Sequence, residues 1–219
     1  MKADTYLPIL NFLRGAAAIG ICTIHTSHLL NINSYQITRL LEFGAVGVPI
    51  FFIISGFIVP YSLWNSNYKI TDFFKFIIKR LARINPPYIA IIIICLLLGY
   101  PFNLTKIFFN VLYLVPFSDE TWYLGIFWTL GVEFQFYVIV GLCFKFIKHS
   151  NIYLLLTILL VFTSIGYFLP INKEYAFIFR HAHYFCIGII ALLFNKKRIT
   201  KSQFLVLLSI ISFYLLFRI

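Results

Sequence analysis

LPILNFLRGAAAIGICTIHTSHLL, residues 7–30, is an apolar run long enough to cross a bilayer, since about 20 apolar residues rising about 1.5 Å each cover the hydrocarbon. Two of its residues do not belong in lipid, Arg14 in the inner half and His25 in the outer half. They lie close to three whole helical turns apart, so both project from nearly the same face, about 16 Å from one another along the axis. One helix is thus expected to present a fixed cation and a titratable imidazole to a single interior surface.

Composition sets the class. The chain has 219 residues, 61% hydrophobic, 20% aromatic and 11% charged, with a mean hydropathy of +0.92; no ordinary soluble domain has this make-up. The expected fold class is all-α, a polytopic transmembrane helix bundle forming one domain over residues 1–219, with no internal repeat or linker. A net charge of +11 raises the question of a nucleic-acid partner. The basic residues sit in short loops between apolar runs rather than on one solvated face, which argues against one. Cys22, Cys95, Cys143 and Cys186 fall inside apolar runs with neither disulfide nor metal spacing. A cleaved signal peptide fits poorly, because Arg14, His25 and His28 interrupt the pattern, so the first span should stay attached.

Further along, residues 44–63 read as a second span, with Gly47 and Gly56 allowing close helix approach. Residues 68–83 alternate apolar and basic residues at helical spacing and read as an interfacial amphipathic helix. Pro86 and Pro87 are expected to break it, leaving residues 88–100 as a third span that is short unless residues before the prolines join it. Residues 103–117 are too short to cross and should lie at the interface or dip in and out. Residues 122–146, 152–169 and 175–194 give the fourth to sixth spans, and a partial seventh begins at Gln203 and looks cut short at the carboxy terminus. Lys2, Lys69, Lys75, Lys79, Arg80, Arg83, Lys145, Lys148, Lys196, Lys197, Arg198 and Lys201 fall on one side, against Arg39, Lys106 and Lys173 on the other. The positive-inside rule therefore places the amino terminus in the cytoplasm, and the expected location is a cell (plasma or inner) membrane.

Within the spans, Arg14 could snorkel to the headgroups, and His25 could be a neutral histidine satisfied by a neighbour. Their shared face and the presence of Glu133 in WTLGVEFQFY favour a working site, with His25 as base. A mid-span carboxylate is costly unless paired, either to Arg14 or Arg180 as a structural ion pair or to His25 as its orienting group. Tyr137, one turn from Glu133, offers a hydroxyl partner, and Trp128 and Gln135 flank the same block. FRHAHYF places Arg180 beside His181 and His183. A His-x-His pair on a helix points to opposite sides and no acidic or cysteine ligand joins it, so no metal site is expected. The basic helix suits anionic headgroups, and its arginines also lie where a phosphorylated donor would approach.

These residues carry a resemblance. NFLRGAAAIGICTIH, with Arg14 and His25, resembles the first-helix signature of the acyltransferase 3 family of integral membrane acyltransferases. VGVPIFFIISGFIV, KRLARINPPY and WTLGVEFQFY are similar, in order, to its second-span, basic and Trp-Leu-Glu-Gln-Phe-Tyr blocks, and RHAHYFCIGIIALL is a weaker fifth match. Pro49 stands where the second block usually has an acidic residue, and the family has more spans than this chain. The resemblance implies transfer of an acyl group, often acetyl from acetyl-CoA, onto a hydroxyl of a cell-envelope saccharide or lipid-linked sugar. It implies catalytic roles for His25, Arg14 and Glu133, binding of the acyl-CoA donor by Arg80, Arg83 and Tyr88, and contact with the acceptor by Trp128, Gln135, Tyr137 and Arg180. No permanently bound cofactor is expected, only acetyl-CoA as donor substrate. Two rival readings are a transporter or flippase using Arg14, His25 and Glu133 as a proton or anion path, and an inactive truncated remnant.

Overall fold

A computed structural model describes residues 8–29, 43–168 and 177–216. Lys2, Arg39, Lys173 and Glu174 lie outside the described residues, as do the side chains of His25 and His28. The described residues form α-helices α1 (Pro8–Leu29), α2 (Gly47–Asn65), α3 (Phe73–Leu97), α4 (Leu104–Val111), α5 (Trp128–His149), α6 (Ile152–Phe168), α7 (Ile178–Asn195) and α8 (Lys201–Leu216), joined by short 3-10 turns and, among the described residues, no strand. Among the described residues, four segments are long and apolar enough to cross a membrane: Gly44–Asn65, Ile70–Leu97, Gly125–His149 and Ile178–Asn195. The apolar windows of α1, α6 and α8 are shorter within the described residues.

Local sequence explains several helix starts. Asn103 caps α4 by accepting from the Lys106 amide at 3.0 Å. Thr200 and Gln203 close a capping box at α8: the Gln203 carbonyl oxygen accepts from the Thr200 amide at 2.9 Å, and the Thr200 hydroxyl accepts from the Gln203 amide at 3.3 Å.

The proline pair requires a correction. Helix α3 runs unbroken through Pro86 and Pro87, so the expected amphipathic helix and the expected third span are one element. Proline supplies a helical φ and costs an amide donor and a ring clash one turn back, but neighbouring structure can offset both in a spanning helix. Both rings are exposed. The residues on either side are tied down: Asn85 accepts from the Tyr113 hydroxyl at 2.8 Å, and the Tyr88 hydroxyl donates to Asn110.

The chain divides into two compact units, residues 1–58 with 184–219 and residues 59–183. In the first, α1 packs along the 3-10 turn Phe43–Val46. The backbones of α2 and α7 touch at Gly56 and Gly188: a Cβ on Gly56 would collide with the Phe185 carbonyl, and one on Gly188 with the Ile53 carbonyl. Small residues at such crossings are how membrane helices gain packing contact. Phe52 stacks on Phe185 beside the crossing, ring centres 4.8 Å apart, and Phe194 stacks on Phe204 between α7 and α8 at 4.7 Å.

In the second unit, Tyr88, Ile92 and Cys95 of α3 form a core with Tyr113, Tyr123 and Phe127 of the segment that leads to α5, and Leu130 and Phe134 of α5 pack against it. The loop between these helices folds back on itself around Asn110, which has no exposed surface. The Asn110 amide nitrogen donates to the carbonyls of Lys106 at 2.9 Å and Thr121 at 3.1 Å. Its carbonyl oxygen accepts from the Tyr123 amide at 3.1 Å and the Tyr88 hydroxyl at 3.3 Å. At the other end of the unit, the Tyr68 hydroxyl donates to the Gly141 carbonyl at 2.9 Å. Burial, with a smaller contribution from Asp72, holds the Tyr68 phenol above its ordinary value.

Candidate active site

Helix α5 divides the expected site residues between two sides. Glu133 and Tyr137 are four positions apart and share one face; Trp128 and Gln135 are seven apart and share roughly the opposite one.

On the first face, the buried Tyr137 hydroxyl donates to Glu133 Oε1 at 2.6 Å, so the partner expected from helical spacing is in place. Helix α3 brings Arg80 onto the same group. The guanidinium carbon lies 5.4 Å from the centre of the Tyr137 ring and 5.3 Å from that of Phe76. Arg80 Nη2 donates to the Ser62 hydroxyl at 2.9 Å. A guanidinium among two aromatic faces and a hydroxyl keeps its charge while giving up part of its water.

The charge of Glu133 reaches Tyr113, whose phenol is raised by burial first and by that carboxylate second. Tyr113 stacks on Phe134 at 5.1 Å and on Tyr88 at 5.3 Å. Its backbone is left-handed, φ 57°. It ends α4 with the Tyr113 amide on the Asn110 carbonyl and the Leu114 amide on the Phe109 carbonyl, a Schellman pattern usually given to glycine. A bulky residue there spends conformational energy to place a ring between α3 and α5.

On the second face, α5 receives the start of α7. The Ile178 amide donates to Gln135 Oε1 at 3.1 Å, and Trp128 stacks on His181 at 4.9 Å with 27° between planes. Gln135 thus satisfies one of the free amides that open a helix. Arg180 is half-buried in that first turn.

The remaining expected residues lie elsewhere. Arg14 is half-buried on α1, its guanidinium carbon 5.8 Å from the centre of the Phe51 ring. His25 is on the same unbroken helix, though its side chain is outside the described residues. Arg83 is exposed. Tyr88, expected at the donor, is 1% exposed with its hydroxyl on Asn110, which makes it an interior packing residue in this conformation. Among the described residues, no three His, Cys, Asp or Glu side chains gather as metal ligands would. Asn85, Asn110, Tyr113 and His181 took no part in the sequence-derived site. Of these, only His181 stands out in the sequence, in FRHAHYF and as a candidate metal ligand.

Length, apolarity and helix-only architecture define a helical integral membrane protein with a carboxylate, a phenol and a guanidinium grouped beside one of its spans. The chain belongs to the acyltransferase 3 family, whose profile, described as an acyltransferase domain, matches residues 7–218. It is similar to O-acetyltransferase OatA of Staphylococcus aureus (strain NCTC 8325 / PS 47), 29% identical over 171 residues that make up 68% of this chain and 26% of the relative. OatA of strain COL gives the same figures. A second protein of strain COL, SACOL0978, provisionally named an O-acetyltransferase, is 27% identical over 63% of this chain and 24% of its own length. The matched stretch therefore spans about a quarter of these curated relatives. No solved structure gives a significant match.

Proposed function

We propose that this chain transfers an acyl group, acetyl from acetyl-CoA, to a hydroxyl of a cell-envelope saccharide or lipid-linked sugar, with His25 as general base. The observation that carries this reading is that Arg14 and His25 occupy one uninterrupted helix, Pro8–Leu29, three turns apart, in a chain of this family. Acyl transfer to an alcohol requires the hydroxyl to lose its proton as it attacks, a task for a neutral imidazole with a pKa near working pH. His25 takes that proton while the alcohol oxygen bonds to the thioester carbon. The imidazolium returns it to the CoA sulfur as the carbon–sulfur bond breaks. Arg14, about 16 Å away along the same helix, is too far to reach the reacting carbon and serves the anionic donor, while Glu133 is the candidate to orient the base.

In this reading the chain has six spans and part of a seventh in a cell membrane, with its amino terminus in the cytoplasm. Arg83 faces the side on which CoA is found. The thioester arm enters between helices and meets the acceptor hydroxyl near His25, while Trp128, Gln135 and Arg180, gathered where α5 meets the start of α7, flank the acceptor; Tyr137, on the other face of α5, serves Glu133 instead.

The test is transfer of radiolabel from acetyl-CoA to isolated envelope saccharide by membranes containing the protein. Wild-type membranes should label the saccharide; H25A membranes, holding the same amount of inserted protein, should not. Transfer that persists in H25A overturns the assignment of the base, and its absence from wild type overturns the reaction.

A further inference from the structure

Resting on the acyltransferase reading for the reaction it serves, we propose that Arg80 is a positioning residue, holding the Glu133 carboxylate through the ring and hydroxyl of Tyr137, and that Arg83 alone of the pair meets the donor phosphates. The two arginines of KRLARINPPY stand in different surroundings: Arg83 is exposed, whereas Arg80 is half-buried. Within this unit Arg80 meets the Ser62 hydroxyl at 2.9 Å and the faces of Phe76 and Tyr137 at 5.3 and 5.4 Å. A phosphate ligand would have to draw it away from all three; Arg83 needs no such withdrawal.

The pairs interlock. Phe76 and Arg80 are one turn apart on α3, Glu133 and Tyr137 one turn apart on α5, and Tyr137 belongs to both contacts. A cation over the ring of a phenol draws electron density from it and strengthens the hydroxyl as a donor. That hydroxyl already reaches Glu133 Oε1 at 2.6 Å, within the short range of O–H···O⁻ bonds. Ser62 keeps the guanidinium plane from turning off the ring. Lysine would keep the charge and lose the plane, so arginine is the residue the arrangement requires.

The test compares R80Q, R80K, Y137F, the R80Q/Y137F double variant and R83Q in the full chain, each first checked for folding by thermal unfolding in detergent. R80Q should lower kcat about tenfold while the KM for acetyl-CoA stays within about twofold. R80K should recover part of the loss, and Y137F should add little in the R80Q background, since both act through one bond. R83Q should raise the KM. A second readout needs no activity: carbon-13 NMR of protein labelled at the side-chain carboxyls of Glu42, Glu120, Glu133 and Glu174, with Glu133 assigned through E133Q. The Glu133 resonance should move in the same direction in R80Q and Y137F. An unmoved resonance in R80Q, or a donor KM that rises in R80Q as it does in R83Q, overturns the proposal. If wild type transfers no acetyl group, the reaction assignment falls and the resonance alone decides the positioning role. If R80Q does not fold, R80K carries the same comparison.

Discussion

Asn110 uses both amide hydrogens and both lone pairs of its side chain inside the protein, which makes its neighbourhood sensitive to a single atom. N110A should lower stability by about 2–4 kcal/mol, because it removes a partner from two carbonyls and the Tyr123 amide at once and leaves the Tyr88 hydroxyl only the Asn110 backbone carbonyl. N110D is nearly the same shape but cannot donate to Lys106 and Thr121, and should cost almost as much; thermal unfolding of the solubilised protein checks both. The phenols make a separate prediction. Tyr68, held above its ordinary 10.0, stays neutral in the folded chain while the unfolded chain ionises. The folded state then holds the extra proton, so this contribution is intact below pH 10 and is lost as pH rises beyond it. Y68F should flatten that alkaline fall in unfolding temperature. The Glu133–Tyr137 pair was legible because it depends on spacing within one helix. Tyr113, Asn85 and Asn110 were not, because their partners are distant in sequence and a left-handed tyrosine looks like any aromatic residue in an apolar run.

Among the elements, α3 shows where pattern reasoning fails. Two adjacent prolines in a window of propensity look like a terminus, yet the helix persists because contacts around Asn85 and Tyr88 hold both halves. Most of the other helices match the expected runs within about three residues, since long apolar runs bounded by polar residues leave few alternatives, but α5 starts at Trp128 rather than at 122 and α4 covers only part of 103–117. Gly56 was legible as a place of close approach, but its partner Gly188 was not, because a small residue does not announce which helix it meets. G56L or G188L should cost more than about 3 kcal/mol or abolish folding, since the obstructing atoms are backbone and cannot move aside. The yield of folded protein in detergent reports this directly. Q135A should loosen the start of α7 by about 1 kcal/mol through loss of the contact with the Ile178 amide, read as faster amide exchange at Ile178.

For the molecule as a whole, composition alone was enough to assign a helical membrane protein, and the blocks around Arg14, Phe51, Arg83 and Glu133 were enough to assign the family. Sequence could place Glu133 and Tyr137 on one face of a helix but could not say which neighbour each face of α5 meets, and α5 shows how much that matters. The proposed orientation predicts that K75C or K79C, in a chain whose four native cysteines have been replaced, reacts with a membrane-impermeant thiol reagent only in inside-out vesicles. Reaction in right-side-out vesicles would reverse the topology. The two sides of α5 also limit how this family member can change. Trp128 and Gln135 grip one neighbour while Glu133 and Tyr137 serve another, so they behave like two keys cut on a single shaft. A one-residue insertion between Trp128 and Glu133 would turn Trp128 by about 100° against Gln135, Glu133 and Tyr137, and so break the first key in two. Drift along this segment should therefore occur by substitution in place, and natural gain or loss of single residues should fall outside positions 128–137.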